Sequence, residues 1–240
     1  MADDVDADRL GRRVPDFVPP PHPDGAPLIG RYVALSRLSA HDHAAELYDA
    51  FSESDAIWTY MPVGPFAGFG AFSDWIASAA ETRDPFFYTI IERATGRPSG
   101  VASFLRIAPA AGSIEVGHIV FAPSLQRTRA ATEAMALMMA WAFDAGYRRY
   151  EWKCNALNIA SRRAAMRLGL SYEGIFRQAA VIKGRNRDTA WFAAIDAEWP
   201  ALRGAFDRWF APENFDASGR QRVALSDLTA PILVARDPEC

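Results

Sequence analysis

The order of hydrophobic and polar positions divides the chain into strand-like and helical stretches. Residues 31–35 (RYVAL) alternate and predict a strand. Residues 86–92 (FFYTIIE) predict another from their aromatic and β-branched content. A turn at residues 95–98 returns the chain along 99–107, and 113–121 follows after Ala111-Gly112, which together read as an antiparallel meander. Helices are expected from Ser39, a candidate N-cap, to about residue 51, and again over 69–81. The pattern then becomes strand, polar loop, helix, twice over. Strand 113–121 leads to helix 130–145, stopped by Gly146, and strand 150–154 leads to helix 158–168, stopped by Gly169. A hairpin, 172–182 with 189–195, turns at 183–186, and a helix near 198–210 closes the run. Helix 130–145 is apolar almost all round, so it is expected to be buried, with its methionines as core filler. A meander followed by strand–helix–strand–helix predicts a mixed α/β sheet.

The flanks read differently. Residues 1–28 begin acidic and turn Pro-rich, which predicts a flexible arm draped over a folded domain at 29–210. Residues 211–240 read as an irregular tail with one apolar stretch at 232–234, and leave tail exchange within a homodimer open. The 240 residues are 50% hydrophobic and 23% charged, so a substantial core is expected. A net charge of -3 supplies no general attraction to nucleic acid or to an anionic membrane. Cys154 and Cys240 form neither a disulfide framework nor a metal spacing, and Cys154 reads as a buried structural thiol. No apolar run approaches the ~18 residues of a membrane span, so a soluble, cytoplasmic protein is expected.

Chemistry concentrates between residues 115 and 174. The polar loop 126–131 opens a helix directly after an apolar strand, which offers unpaired backbone N–H groups to an anion. About thirty residues on, a second helix start carries Asn155, Asn158 and Ser161. Two such starts side by side suit a long, phosphate-bearing cofactor. Glu115 interrupts the apolar strand 113–121, and strict alternation puts Glu115 and Gly117 on one face, Val116 and His118 on the other. A half-buried carboxylate there is a candidate general base, and an ion-paired glutamate is the alternative. His118 reads as a polar residue of core or cleft. Trp58, Tyr60, Phe66, Phe69 and Trp75 surround the loop MPVGPFAGFG and are either an acceptor wall or core. The hairpin tip, residues 183–187, is basic and reads foremost as a solvated turn.

These residues carry a resemblance. Gln126 to Ala131 with Thr132-Glu133-Ala134, Asn158-Ile159-Ala160-Ser161 through Leu168-Gly169, and SYEGIFRQ (171–178) resemble the GNAT superfamily of acyl-CoA-dependent N-acetyltransferases. The branch containing ribosomal-protein N-terminal alanine acetyltransferases is the most similar, over roughly residues 30–200. The resemblance implies a mostly antiparallel mixed sheet with splayed central strands, helices on both faces, and acetyl-CoA as cosubstrate without a metal. It implies a pyrophosphate loop of Gln126, Arg127, Thr128, Arg129, Ala130 and Ala131. Ile119, Phe121, Asn155 and Asn158 would serve the cofactor's arm, and backbone donors near His118 would polarise the carbonyl. Glu115 would be the base, through water, with His118 in reserve, and Ser161 the general acid. The reaction would be direct attack by a small-molecule or peptide amine in a ternary complex. Three features depart from the family's pattern. Arg129 stands where Gly is usual, which would strain a left-handed backbone. Ala165 stands where many members carry a Tyr acid. Ala179 and Ala180 follow Gln178 where the branch has an acidic residue, which counts against a ribosomal-protein substrate. A non-catalytic CoA-binding or protein-interaction module is the alternative, and an enzyme for longer acyl chains is a third reading.

Overall fold

In the computed structural model, which describes residues 10–240, eight strands form one sheet. They are β1 (Leu28–Ile29), β2 (Val33–Arg37), β3 (Phe86–Glu92), β4 (Pro98–Ala108), β5 (Ser113–Phe121), β6 (Arg149–Asn155), β7 (Ser171–Ile182) and β8 (Arg185–Ile195). Their order across the sheet is β1-β2-β3-β4-β5-β6-β8-β7. Neighbours are antiparallel except β5 and β6, which run parallel. That parallel pair is short. It runs from Ser113 opposite Arg149 to Val116 opposite Trp152 and then stops, although both strands continue. The centre of the sheet therefore opens into a V.

Helices cover both faces. On one side α1 (Ala40–Phe51) and α2 (Phe69–Glu81) pack over Phe87, Val101 and Val120. On the other side lie α3 (Arg129–Asp144), α4 (Ile159–Arg167), α5 (Trp199–Phe210) and the short α6 (Leu225–Thr229). Helix α3 is the buried rod its composition predicts: Ala134, Met135, Met138 and Met139 are all buried. Ser39 caps α1 as expected, accepting from Asp42 N at 3.2 Å. Trp58, Phe66, Phe72 and Trp75 pack ring against ring beneath α1 and α2, with Phe66 stacked on Trp75 at 5.3 Å. Three of the five loop aromatics, Trp58, Phe66 and Trp75, are thus core, whereas Tyr60 and Phe69 are exposed.

The first predicted strand is displaced, and the reason is one carboxylate. Residues 30–32 form a turn, so β2 starts at Val33 and a short β1 precedes it. Glu133, buried on the first turns of α3, accepts from the backbone N–H groups of Arg31 (2.8 Å), Tyr32 (2.6 Å) and Val33 (2.9 Å). A Cβ at Gly30 would lie 2.4 Å from that carboxylate, which requires glycine there. Glu133 thus does more than start a helix: it fixes the sheet edge to α3.

The described flanks are tied to the domain. Tyr147 donates to the Pro21 carbonyl at 3.0 Å, and His22 meets Phe86 edge-on. The arm expected at 1–28 falls in part on residues 1–9, outside the described residues. Beyond Phe210 the tail expected to be irregular carries a 3-10 turn (Pro212–Asn214) and α6. It ends on an ion pair. Arg162 of α4 is 1% exposed, and its Nε and Nη2 grip Asp237 at 2.6 and 2.5 Å while Nη1 reaches Glu239 at 2.7 Å. Among the described residues no helix is long and apolar enough to cross a membrane.

Two stability predictions follow from these clamps. Glu133→Ala unties three charge-assisted hydrogen bonds and should lower unfolding stability by about 2–4 kcal/mol, measured by denaturant titration. Asp237→Ala strips the buried Arg162 guanidinium of its buried partner, leaving only the exposed Glu239, and should cost about 3 kcal/mol by the same measurement. A change below about 0.5 kcal/mol in either would show that the clamp is idle.

Candidate active site

The V between β5 and β6 opens into a cleft of about 1740 Å³. Trp152, Lys153, Cys154 and Asn155 all line it, so successive residues from both faces of β6 border the opening. Past Val116 the β6-facing edge of β5 has no strand partner. Backbone groups of residues 117–121 that point away from β4 are therefore not engaged by a neighbouring strand and can meet a ligand.

A bulge sharpens this edge. Ser103 pairs with Gly117 but Val101 pairs with Val120, so β5 carries one extra residue. His118 absorbs it with a φ of 47°. Alternation breaks at that point, and the expected separation of His118 from Glu115 is overturned. The His118 ring lies against Phe87 at 5.2 Å and Ser103 at 3.0 Å, on the face that also carries Gly117 and Glu115.

The hydrogen bonds around His118 favour one tautomer. Ser103 Oγ donates its single proton to the Gly117 carbonyl at 3.2 Å. With that proton given to the carbonyl, Ser103 Oγ accepts from His118 Nδ1–H at 3.0 Å, the tautomer in which Nε2 keeps a free lone pair. Burial, reinforced by Arg106 and Arg187, lowers the pKa of His118 below its ordinary value. The ring is therefore neutral at pH 7.

Glu115 is buried in the same cleft, and its Oε2 is held by Arg106 at 2.7 Å and Lys153 at 3.0 Å. Lys153 also binds Glu151 at 2.7 Å and rests 3.6 Å over the Trp191 ring. This network joins β4, β5, β6 and β8 at the mouth of the V. Lys153, Arg106 and Glu151 were not singled out from the sequence. The available signal was the alternating charged series Arg149, Glu151 and Lys153, set between Tyr150, Trp152 and Cys154.

On the opposite face the first turn of α4 meets β6. Asn158 caps the helix, accepting from Ser161 N at 3.1 Å, and Asn155 accepts from Leu157 N at 2.9 Å. Trp152 Nε1 donates to Ser161 Oγ at 3.0 Å, so the hydroxyl keeps its one proton to give. Further along β6, burial pushes up the pKa of the Cys154 thiol.

The start of α3 forms the other end of the cleft. Thr128 is the N-cap, accepting from Ala131 N at 3.0 Å. The N–H groups of Arg127, Arg129 and Ala130 have no hydrogen-bond partner among the described residues. Arg127, Arg129, Arg163 and Arg167 also line the cleft, so this end combines unpartnered N–H groups with positive charge, a combination suited to an anion. The left-handed backbone falls on Arg127 (φ 62°), not on Arg129, which is the first residue of α3. The strain expected at Arg129 is therefore absent. Its guanidinium instead stacks 4.2 Å over Phe215 of the tail. Gln126 turns its amide to the Phe121 carbonyl at 3.1 Å. Of the cofactor candidates, Ile119, Phe121, Gln126, Arg127, Thr128, Arg129, Ala131, Asn155 and Asn158 line the cleft. Ala130 faces a neighbouring depression of about 550 Å³. The catalytic candidates Glu115, His118 and Ser161 all line the cleft.

The family model for the acetyltransferase (GNAT) domain matches residues 33–171. A GCN5-related N-acetyltransferase from Brucella melitensis is 44% identical, with 90% of this chain and 100% of that one covered at a TM-score of 0.88. The chain belongs to the GNAT acetyltransferase family. A GNAT-family protein from Chromobacterium violaceum ATCC 12472 is 38% identical over 79% of this chain and 96% of its own, at a TM-score of 0.76. A ribosomal-protein-serine acetyltransferase-like protein from Vibrio cholerae is 17% identical, covering 70% of this chain and 97% of its own at a TM-score of 0.62. With that last protein the fold is what is shared. No curated protein matches. As a GNAT protein this chain is an acyltransferase, and GNAT acetyltransferases use acetyl-CoA.

Arg127 is the exposed cation nearest the unpaired N–H groups. Arg127→Ala should weaken CoA binding about tenfold in calorimetric titration, the loss of one charge-assisted contact. The difference between wild type and variant should shrink as salt rises. Unchanged affinity at low salt would move the diphosphate elsewhere.

Proposed function

We propose that this enzyme transfers an acetyl group from acetyl-CoA to a primary amine by direct attack in a ternary complex. The observation that carries the reading is a single cleft with two chemically distinct ends. One end is a helix start with three unpartnered N–H groups. The other holds a neutral histidine whose Nε2 is unengaged among the described residues.

Bound acetyl-CoA supplies the activated acetyl thioester. The N–H groups of Arg127, Arg129 and Ala130 hold its diphosphate. Asn155 and Asn158 have Oδ1 occupied in local turns and keep their Nδ2 donors for the pantetheine amides. Ile119 and Phe121 line the arm. Backbone N–H groups of β5 beyond Val116 polarise the carbonyl.

His118 is the better proton acceptor for the amine. Its Nε2 is free, whereas Glu115 Oε2 is already shared by Arg106 and Lys153. Glu115 then acts by positioning those two cations. Ser161 offers its proton to the leaving sulfur, a role its acceptor bond from Trp152 leaves open. A cytoplasmic setting suits the two free thiols, Cys154 and Cys240.

The test is thiol release from acetyl-CoA with a panel of amines. His118→Gln should lower kcat by about 10²–10³, the usual worth of a general base, with CoA binding retained. In the wild type kcat should be flat near pH 7–8. It should fall only below the ordinary imidazole value of about 6.5, because the base must be unprotonated and its pKa is lowered. An acid limb that persists in His118→Gln would remove His118 from the reaction, and no turnover with any amine would defeat the reading.

A further inference from the structure

The wall of the cleft formed by β8 contains two buried donors without acceptors. Arg187 Nε and Trp191 Nε1 are covered by protein yet have no hydrogen-bond partner. Both residues line the cleft. They are four positions apart on one strand, which places them on the same face. Neither group can accept a hydrogen bond, so only an acceptor satisfies them. A buried donor left unpaired is costly, and such exceptions call for a missing partner.

Charge points the same way. Arg187 makes no ion pair among the described residues. Its neighbour Asp188 is occupied elsewhere: Oδ1 accepts from Gln178 N at 2.7 Å and Asn186 Nδ2 at 2.9 Å. Across the ladder Arg187 faces Ala180, which brings no carboxylate. The two carboxylates at the cleft mouth, Glu115 and Glu151, are committed to Arg106, Lys153 and Arg149. The acceptor end therefore carries one uncompensated guanidinium, close enough to His118 to act on its ionisation. The ring of Trp191, with Phe176 against it at 4.5 Å, adds a flat apolar wall beside it.

We propose that the acceptor is a small amine bearing an oxyanion, carboxylate or phosphate, which Arg187 binds while the amine is presented to His118. Arg187 is a specificity-determining residue in this arrangement. A guanidinium fork grips either oxyanion through paired N–H donors. It also repels a protonated amine that lacks a compensating anion, so unmodified cationic amines are disfavoured. A peptide N-terminus has no anion at that distance unless the first side chain provides one. The inference rests on the amine-acetylation reading above for its chemistry, but binding tests it separately.

The experiment compares acceptors that differ only in the anion. Pooled L-amino acids are set against their pooled amides, and O-phosphoethanolamine against ethanolamine, with thiol release from acetyl-CoA as the readout. The anionic member of at least one pair should have a kcat/KM at least about tenfold higher. Preference in the first pair identifies a carboxylate, in the second a phosphate. Arg187→Gln should lower kcat/KM for the preferred anionic acceptor about 30- to 100-fold, and Arg187→Lys should recover part of it. CoA affinity of each variant, measured by calorimetry, reports that it is folded. The same compounds are then titrated into wild-type and Arg187→Gln proteins saturated with CoA. Anion-selective binding that Arg187→Gln abolishes, without turnover, sustains this inference and defeats the acetylation reading instead. Equal behaviour of charged and neutral members in both transfer and binding, or a preference that survives Arg187→Gln, overturns it.

Discussion

The constraint on which the molecule turns is the early end of the β5–β6 ladder. Four residue pairs, Ser113–Arg149 to Val116–Trp152, hold the two strands together. Continuing the ladder would have satisfied more backbone groups. Instead the extra residue at His118 bends β5 away, and β6 follows β8 as far as Asn155. Unpaired strand edges are normally covered or blunted. Here the edge lines a cleft, where a ligand rich in amide and carbonyl groups can complete it. The helix that follows β5 starts beside this edge with the N–H groups of Arg129 and Ala130 unpartnered among the described residues, so the strand gap and this helix start are built by one continuous stretch of chain.

Around that gap the protein invests in rigidity. Glu133 fastens α3 to the sheet edge through three backbone N–H groups. The Glu115–Lys153–Glu151–Arg149 series locks the mouth of the V. Arg162 with Asp237 pins the tail across the start of α4. Tyr60 crosses from the α1–α2 layer to donate to the Leu157 carbonyl at 3.1 Å. Buried ionic clusters of this kind contribute little net stability but are strongly disrupted when one partner is lost. Their effect here is to hold an open shape that apolar packing alone would close.

Much of this was legible in the chain. Helix α2 and strands β3 and β5 have the predicted bounds, because long periodic segments and glycine stops declare themselves. The helix-start loop and the Asn-rich turn stood out as candidate ligand sites, and the structure brings both to one cleft. What was hidden required three dimensions. A bulge on a histidine reverses a face assignment that strict alternation makes with confidence, and nothing in Gly117-His118-Ile119 signals a φ of 47°. Glu133 and Lys153 look like ordinary charged residues until the fold delivers their partners, about a hundred positions away for Glu133 and about forty for Lys153. The left-handed residue of the loop was expected at Arg129 because family glycines mark that place, yet the chain spends its strain at Arg127. The unpaired donors of Arg187 and Trp191 are a property of packing that no spacing reveals.

A crystal structure of the protein grown with CoA tests the central claim most directly. The diphosphate should lie within hydrogen-bonding distance of the N–H groups of Arg127, Arg129 and Ala130, and the pantetheine arm should pass between β5 and β6 beyond Val116 and Trp152. A nucleotide bound on another surface, or a β5–β6 gap closed by side chains with the arm outside it, would contradict the claim.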